Sequence, residues 1–271
     1  MGYFKDGLLS GRNAFIAGGT SGINLAIAEG LLDAGATVGV MSRKQEKVDS
    51  ALALLLPKGK AFGYSADVRN FDAVSTAIEQ FHQAAGPIDI VISGAAGNFV
   101  APANSISSNG FKTVIEIDLL GSFHVYRGSY PFLRKPGASL ISISAPQATE
   151  TSFGQAHVAA AKAGVDMLTK SLAVEWGPEG IRANCIIPGP IDGTEGMERL
   201  TPNPAFRRHI EDSVALRRFG TKQEVADMAV FLASDAASYV TGSLMYCDGG
   251  MTLSMGGAMS PAAFQQFMKS T

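Results

Sequence analysis

Short apolar, β-branched runs alternate with longer stretches of helical period along most of the chain, and this alternation constrains the fold more than any other feature. Runs at 13–18, 37–42, 61–66, 88–93, 138–144, 182–187 and 243–247 read as strands. Several are apolar at consecutive positions, as in Ile90-Val91-Ile92, the pattern of a strand covered on both faces. Segments 22–34, 44–56, 71–85, 109–134, 154–177 and 222–234 read as helices, with stop signals at Gly35 and at Gly86-Pro87. Repeated strand–helix–strand units build a parallel sheet. The sequence therefore predicts an α/β fold: one Rossmann-type doubly wound domain over 1–271, with a seven-stranded parallel sheet and helices on both faces. With 46% apolar and only 17% charged residues, the chain has the means to fill such a core.

Other classes are disfavoured. A net charge of −2 creates no field for nucleic acid. Cys185 and Cys247 are far apart, and the four histidines show no ligand spacing, so neither a disulfide framework nor a metal site is expected. No apolar run reaches the roughly 18 residues of a membrane span. The first residues lack a signal-peptide core and the chain ends Lys269-Ser270-Thr271, not Ser-Lys-Leu. A cytoplasmic location is the expectation.

The first strand runs into Gly18-Gly19-Thr20-Ser21-Gly22-Ile23-Asn24. The glycines let the backbone turn tightly against a pyrophosphate, and the next helix offers free N–H groups and the positive end of its dipole. A Gly-rich turn alone is a weak signal; the strand–turn–helix setting strengthens it. Asn24 stands where the last glycine of the usual pattern would be, so its side chain either fits beside the phosphates or points away. The second strand ends in Ser42-Arg43-Lys44, where NAD sites carry an acid for the ribose 2′-hydroxyl. Arg43 can instead pair with a 2′-phosphate, with Ser42 adding a hydroxyl, which favours NADP(H). The plainer alternative is a solvated helix start. Asp67 and Val68 end the third strand, where the acid can accept a bond from an adenine amino group. Ala95, Ala96 and Gly97 follow the fourth, small enough for a cofactor to lie against the backbone. The Pro/Gly-rich stretch 188–220 reads as a substrate-binding excursion with a short helix inside. It balances Arg199, Arg207, Arg208, His209, Arg217 and Arg218 against Glu195, Glu198, Glu211 and Asp212, so a solvated face is the default over a phosphate site. Met245, Met251, Met255 and Met259 suit an acyl tunnel, core packing being the default.

Together these residues resemble the short-chain dehydrogenase/reductase family, from the glycine turn through Pro188-Gly189 to Asp248-Gly249-Gly250. In that family a Tyr-x-x-x-Lys pair acts on a carbonyl. Here Lys162 is present, but Val158 holds the tyrosine position. The serine position falls near Ala145, with Ser144 beside it, and the central-helix asparagine is Asp118. These exchanges are similar to those of the peroxisomal type of 2,4-dienoyl-CoA reductases. So are Ala95-Ala96-Gly97-Asn98-Phe99, Gly154-Gln155-Ala156-His157 and 188–196. The resemblance implies NADPH-dependent reduction of 2,4-dienoyl-CoA thioesters to 3-enoyl-CoA, with Asp118 and Lys162 catalytic. It implies that Pro188, Gly189 and Ile191 join the cofactor site and that Asn98, Phe99, Gln155 and His157 meet an acyl-CoA substrate. It also implies a homotetramer. Reduction of another activated alkene or carbonyl, or a catalytically silent NADP-binding scaffold, stays open as an alternative.

Overall fold

The computed structural model describes residues 4–200 and 203–253, of the first segment without the side chains of residues 199 and 200. Met255 and Met259 lie outside the described residues. Seven parallel strands form one sheet: β1 (Asn13–Ala17), β2 (Thr37–Ser42), β3 (Ala61–Ser65), β4 (Ile90–Ser93), β5 (Ser139–Ile143), β6 (Arg182–Pro188) and β7 (Leu244–Cys247), in the order β3-β2-β1-β4-β5-β6-β7. All seven expected strands are present, within about two residues at each end.

Alternate residues of each strand feed two cores. On β1, Ala14 and Ile16 join Val38, Val40, Ile90 and Ile92 beneath the helices α1 (Gly22–Asp33) and α9 (Lys222–Ala233). Phe15 and Ala17 join Met41, Val91 and Leu140 on the opposite face. That face is covered by α3 (Phe71–Ala85), α5 (Gly121–Ser129) and α6 (Ala156–Trp176). Burial on both faces is why the strands read as unbroken apolar runs. Each such Ile, Val or Phe contributes roughly 1.5–3 kcal/mol on burial.

Two segments depart from the expected helices. The predicted helix 109–134 is instead α4 (Ser108–Ile115), a π turn at Glu116–Leu120, and α5. The Asp118 carbonyl accepts both the Gly121 N–H and, at 2.6 Å, the Ser122 hydroxyl. The excursion carries two helices rather than one, α7 (Glu195–Leu200) and α8 (Pro204–Ser213). Asn203 caps α8, its side chain accepting from the Phe206 N–H, with Pro204 at the first helical position. The remaining helix, α2 (Gln45–Leu55), links β2 to β3. Among the described residues no helix is long and apolar enough to cross a membrane.

Strand order reverses between β1 and β4, which opens a crevice at their C-terminal ends. In doubly wound sheets that is where ligands bind.

Candidate active site

The crevice holds two adjoining cavities. The first, of about 480 Å³, is lined by Gly18, Thr20, Ser21, Ser42, Arg43, Asp67 and Val68, with Ala95, Ala96, Gly97 and Asn98 across from them. The second, of about 300 Å³, shares Asn24, Gly94, Ala96, Gly97 and Asn98 with the first. It adds Gly22, Ile23, Asp118, Ser144, Val158 and Lys162.

The glycine turn is built for close backbone approach. Gly18 has φ +81°, and a Cβ there would lie 2.7 Å from the Ala95 nitrogen. Ser21 precedes α1 without a side-chain cap, so the first N–H groups of α1 are left for a ligand. Asn24 points away from the turn: its Nδ2 donates to the Gly94 carbonyl at 2.8 Å, tying α1 to the end of β4. The departure from glycine at this position therefore serves as a strap and leaves the turn open.

Arg43 is exposed at the rim of the first cavity, with Lys47 beside it. The carboxylate of Asp67 is engaged more than the sequence foretold. Arg69 grips it through Nε at 3.0 and 3.2 Å and through Nη2 at 2.6 Å. The Arg69 bonds hold the Asp67 pKa below the ordinary carboxylate range. Each carboxylate oxygen has further lone pairs, so an adenine amino group is still a possible donor to it.

In the second cavity the π turn aims Asp118 inward. Its Oδ1 accepts from the Gly97 N–H at 2.7 Å, and Oδ2 lies 3.3 Å from Lys162 Nζ. Lys162 also donates to the Ile143 carbonyl at 2.9 Å. The Asp118 and Lys162 side chains are 1% and 8% exposed. Burial at that level excludes bulk water and strengthens the attraction, at the cost of desolvating both charges. Val158 gives the wall beside them an apolar side chain. π turns recur at functional sites, and this one displaces Asp118 from ordinary helical register.

The expected substrate residues form an adjacent cluster. Gln147 donates to Gln155 at 2.7 Å, and Gln155 reaches Asn98 at 3.5 Å. The Phe99 ring packs on His157 at 4.2 Å between centroids. His157 is fully buried and both its ring nitrogens lack a hydrogen-bond partner among the described residues. Of these four, only Asn98 lines the two cavities; Phe99, Gln155 and His157 stand behind or beside it.

Pro188, Gly189 and Ile191 are placed differently. Gly189 and Ile191 line a separate recess of about 480 Å³ with Leu216, Tyr246 and Asp248, and Pro188 is buried at the end of β6. A Cβ on Gly189 would strike the Asp248 backbone at 2.6 Å, so its smallness serves packing against β7. Cavity residues that were not foreseen include Lys47, Gln147, Thr194 and Glu195. Nothing in the local sequence marks Gln147. Glu195 opens a helix in the excursion and so carries the ordinary signal of a first-turn acid. Three arginines of the excursion are engaged: Arg207 with Asp192 and Glu211, Arg217 with Asp212, Arg218 with Glu224.

The donors present suit a dinucleotide: an open glycine turn at a helix start, an exposed cation at the end of β2, and a buried Lys at the far cavity. Comparison with known proteins agrees. Residues 17–252 match the family model described as enoyl-(acyl carrier protein) reductase. The peroxisomal 2,4-dienoyl-CoA reductase, (3E)-enoyl-CoA-producing, of Danio rerio is 42% identical over 253 residues, covering 92% of this chain and 84% of its own. A short chain dehydrogenase from Bacillus anthracis superposes with a TM-score of 0.83 at 38% identity, covering 90% and 97% of the two chains. A gluconate 5-dehydrogenase from Burkholderia cenocepacia, solved with NADP and tartrate, gives 0.85 at 31% identity over 90% and 96%. With its seven-stranded parallel sheet, its glycine turn and its Lys162, the chain belongs to the short-chain dehydrogenase/reductase family of oxidoreductases, and is similar there to the 2,4-dienoyl-CoA reductases.

Proposed function

We propose that the protein reduces 2,4-dienoyl-CoA thioesters to 3-enoyl-CoA with NADPH, without a catalytic tyrosine. The observation that carries this reading is the buried Asp118–Lys162 pair, facing a cavity whose wall holds Val158 where a proton donor would be needed for carbonyl reduction. Reduction of a conjugated thioester needs no proton on a ketone oxygen. It needs stabilisation of the charge that develops on the thioester oxygen, and a proton at the α-carbon.

NADPH, when bound, supplies the hydride for the distal carbon of the diene. Ser42 and Arg43 are suited to its 2′-phosphate, and Lys162 to the nicotinamide ribose. Asn98 sits where the two cavities meet and can donate through Nδ2 to the thioester oxygen. Asp118, held by the Gly97 N–H and by Lys162, orders the water whose proton goes to the α-carbon. The second cavity keeps these groups out of bulk solvent.

The test is NADPH oxidation with a trans-2,trans-4-dienoyl-CoA, with NADH as the control. Turnover with NADPH and formation of the 3-enoyl product is the expected result. NADPH binding without turnover on any acyl thioester would instead identify a non-catalytic NADP-binding scaffold. Retention of a desolvated ion pair speaks against that second reading, because such a pair is costly to keep.

We also infer a homotetramer. α6 leaves Met167 and Val174 on its outer face at 62% and 78% exposed, apolar surface suited to a neighbouring subunit. Sedimentation equilibrium of the purified protein is expected to return four times the 28.3 kDa chain mass, and a monomer would refute it.

A further inference from the structure

One turn beyond Lys162 on α6, at i+4, lies Asp166, which the chemistry above does not use. It is 5% exposed, and neither carboxyl oxygen has a hydrogen-bond partner among the described residues. Its polar neighbours are the Ser144 hydroxyl at the end of β5 and the Cys185 thiol of β6. Ser144 Oγ is itself buried without a partner, while the rest of Ser144 lines the second cavity. A buried carboxylate that makes no hydrogen bond is among the costliest groups a fold can hold, and it ordinarily sheds its charge by taking a proton.

The surrounding charges oppose this and are outweighed. α6 brings Lys162 and Lys170 near Asp166, and both favour its anion. Lys162 is already paired with Asp118 from the π turn. Lys112 of α4 and Glu116 face each other at 3.5 Å on the outer surface. β6 brings only Cys185, whose own pKa burial pushes up to about 12, so it stays a thiol. Burial pushes the Asp166 pKa above its ordinary value, outweighing the nearby Ser144 hydroxyl, Cys185 thiol and two lysines, all of which favour the anion.

We propose that Asp166 is a positioning residue for Lys162: an un-ionised carboxylic acid held one helical turn behind the ammonium, leaving Lys162 to Asp118 and to the ligand. In this state the cluster of Asp118, Lys162 and Asp166 carries no excess charge. When pH rises through the Asp166 pKa, a second carboxylate competes for Lys162 and draws it from the Asp118 side. The neutral acid is present below that pKa and lost above it. The link to catalysis rests on the proposed function; the protonation state of Asp166 and its hold on Lys162 do not.

Two measurements test this on the purified full chain without a thioester substrate. The first is the infrared difference spectrum of wild type minus Asp166→Asn across a pH series. It is expected to show the C=O stretch of an un-ionised carboxyl at neutral pH, fading as pH rises. The second is NADPH affinity over the same range for both proteins. Wild-type affinity is expected to fall relative to Asp166→Asn by about ten- to a hundredfold on the alkaline side, the worth of one charge-assisted bond. Ser144→Ala, which removes a nearby hydroxyl that favours the anion, is expected to move the wild-type fall to higher pH. It also serves if Asp166→Asn does not fold. Absence of the carboxyl band at neutral pH overturns the proposal. So does a band with identical affinity profiles in wild type and Asp166→Asn, or, where Ser144→Ala stands in, a fall that it does not move. If dienoyl-CoA is not turned over while the band and the affinity profiles behave as stated, the function reading fails and this one stands.

Discussion

Asp118→Asn is expected to lower kcat with a dienoyl-CoA by about 10²- to 10⁴-fold, the range for loss of a positioned proton-transfer group. The substitution is chosen for what it keeps. An amide oxygen at Oδ1 still accepts the Gly97 N–H, now at 2.7 Å, so the loop after β4 keeps its anchor. The negative charge facing Lys162 is lost. Lys162 then keeps its bond to the Ile143 carbonyl. Removing one partner of a buried pair costs about 3–5 kcal/mol of stability, so the melting temperature falls as well. Asp118→Ala also strands the Gly97 N–H, which adds about 1–3 kcal/mol. The fall in stability accompanies either role of Asp118. The rate separates them: an Asn protein that is less stable yet turns over like wild type would leave Asp118 as an anchor for Lys162 only.

Much of this arrangement was legible from residues alone, for a physical reason. Strands buried on both faces must be apolar at consecutive positions, so Ile90-Val91-Ile92 and its counterparts stood out. Gly18 announced itself because a tight turn against Ala95 admits no Cβ. The π turn was not legible. Its residues Glu-Ile-Asp-Leu-Leu suit an ordinary helix, and what widens the turn is tertiary: the pull of Gly97 and Lys162 on Asp118. The hold of Arg69 on Asp67 had a signal in the two-residue spacing, and the Asn203-Pro204 pair marked a second helix start in the excursion. Asp166 had none. Its place on the Lys162 side of α6 follows from the i+4 spacing, but its lack of a made hydrogen bond depends on what β5 and β6 bring opposite.

Arg43→Glu is expected to invert the choice of dinucleotide. Arg43 is exposed at the cavity rim, with Ser42 and Lys47 beside it. A bidentate bond between a guanidinium and a 2′-phosphate is worth more than a neutral bond, roughly 1.5–3 kcal/mol. A carboxylate there forfeits that bond and adds like-charge repulsion against the phosphate. kcat/KM with NADPH is therefore expected to fall by about 10²- to 10³-fold, an exponential reading of about 3–4 kcal/mol. With NADH the same acid is placed to accept the ribose 2′-hydroxyl, as acids at the end of the second strand do, so NADH turnover is expected to rise. Ser42→Ala, which removes a neutral bond of about 0.5–1.5 kcal/mol, is expected to cost NADPH about two- to tenfold. Lys47 is a cation that Arg43→Glu leaves in place. It sets the control: if the NADPH-to-NADH ratio is unmoved by Arg43→Glu and collapses with Lys47→Glu, the 2′-phosphate is read from α2 and not from the end of β2. If neither substitution moves the ratio, the end of β2 does not select the cofactor at all.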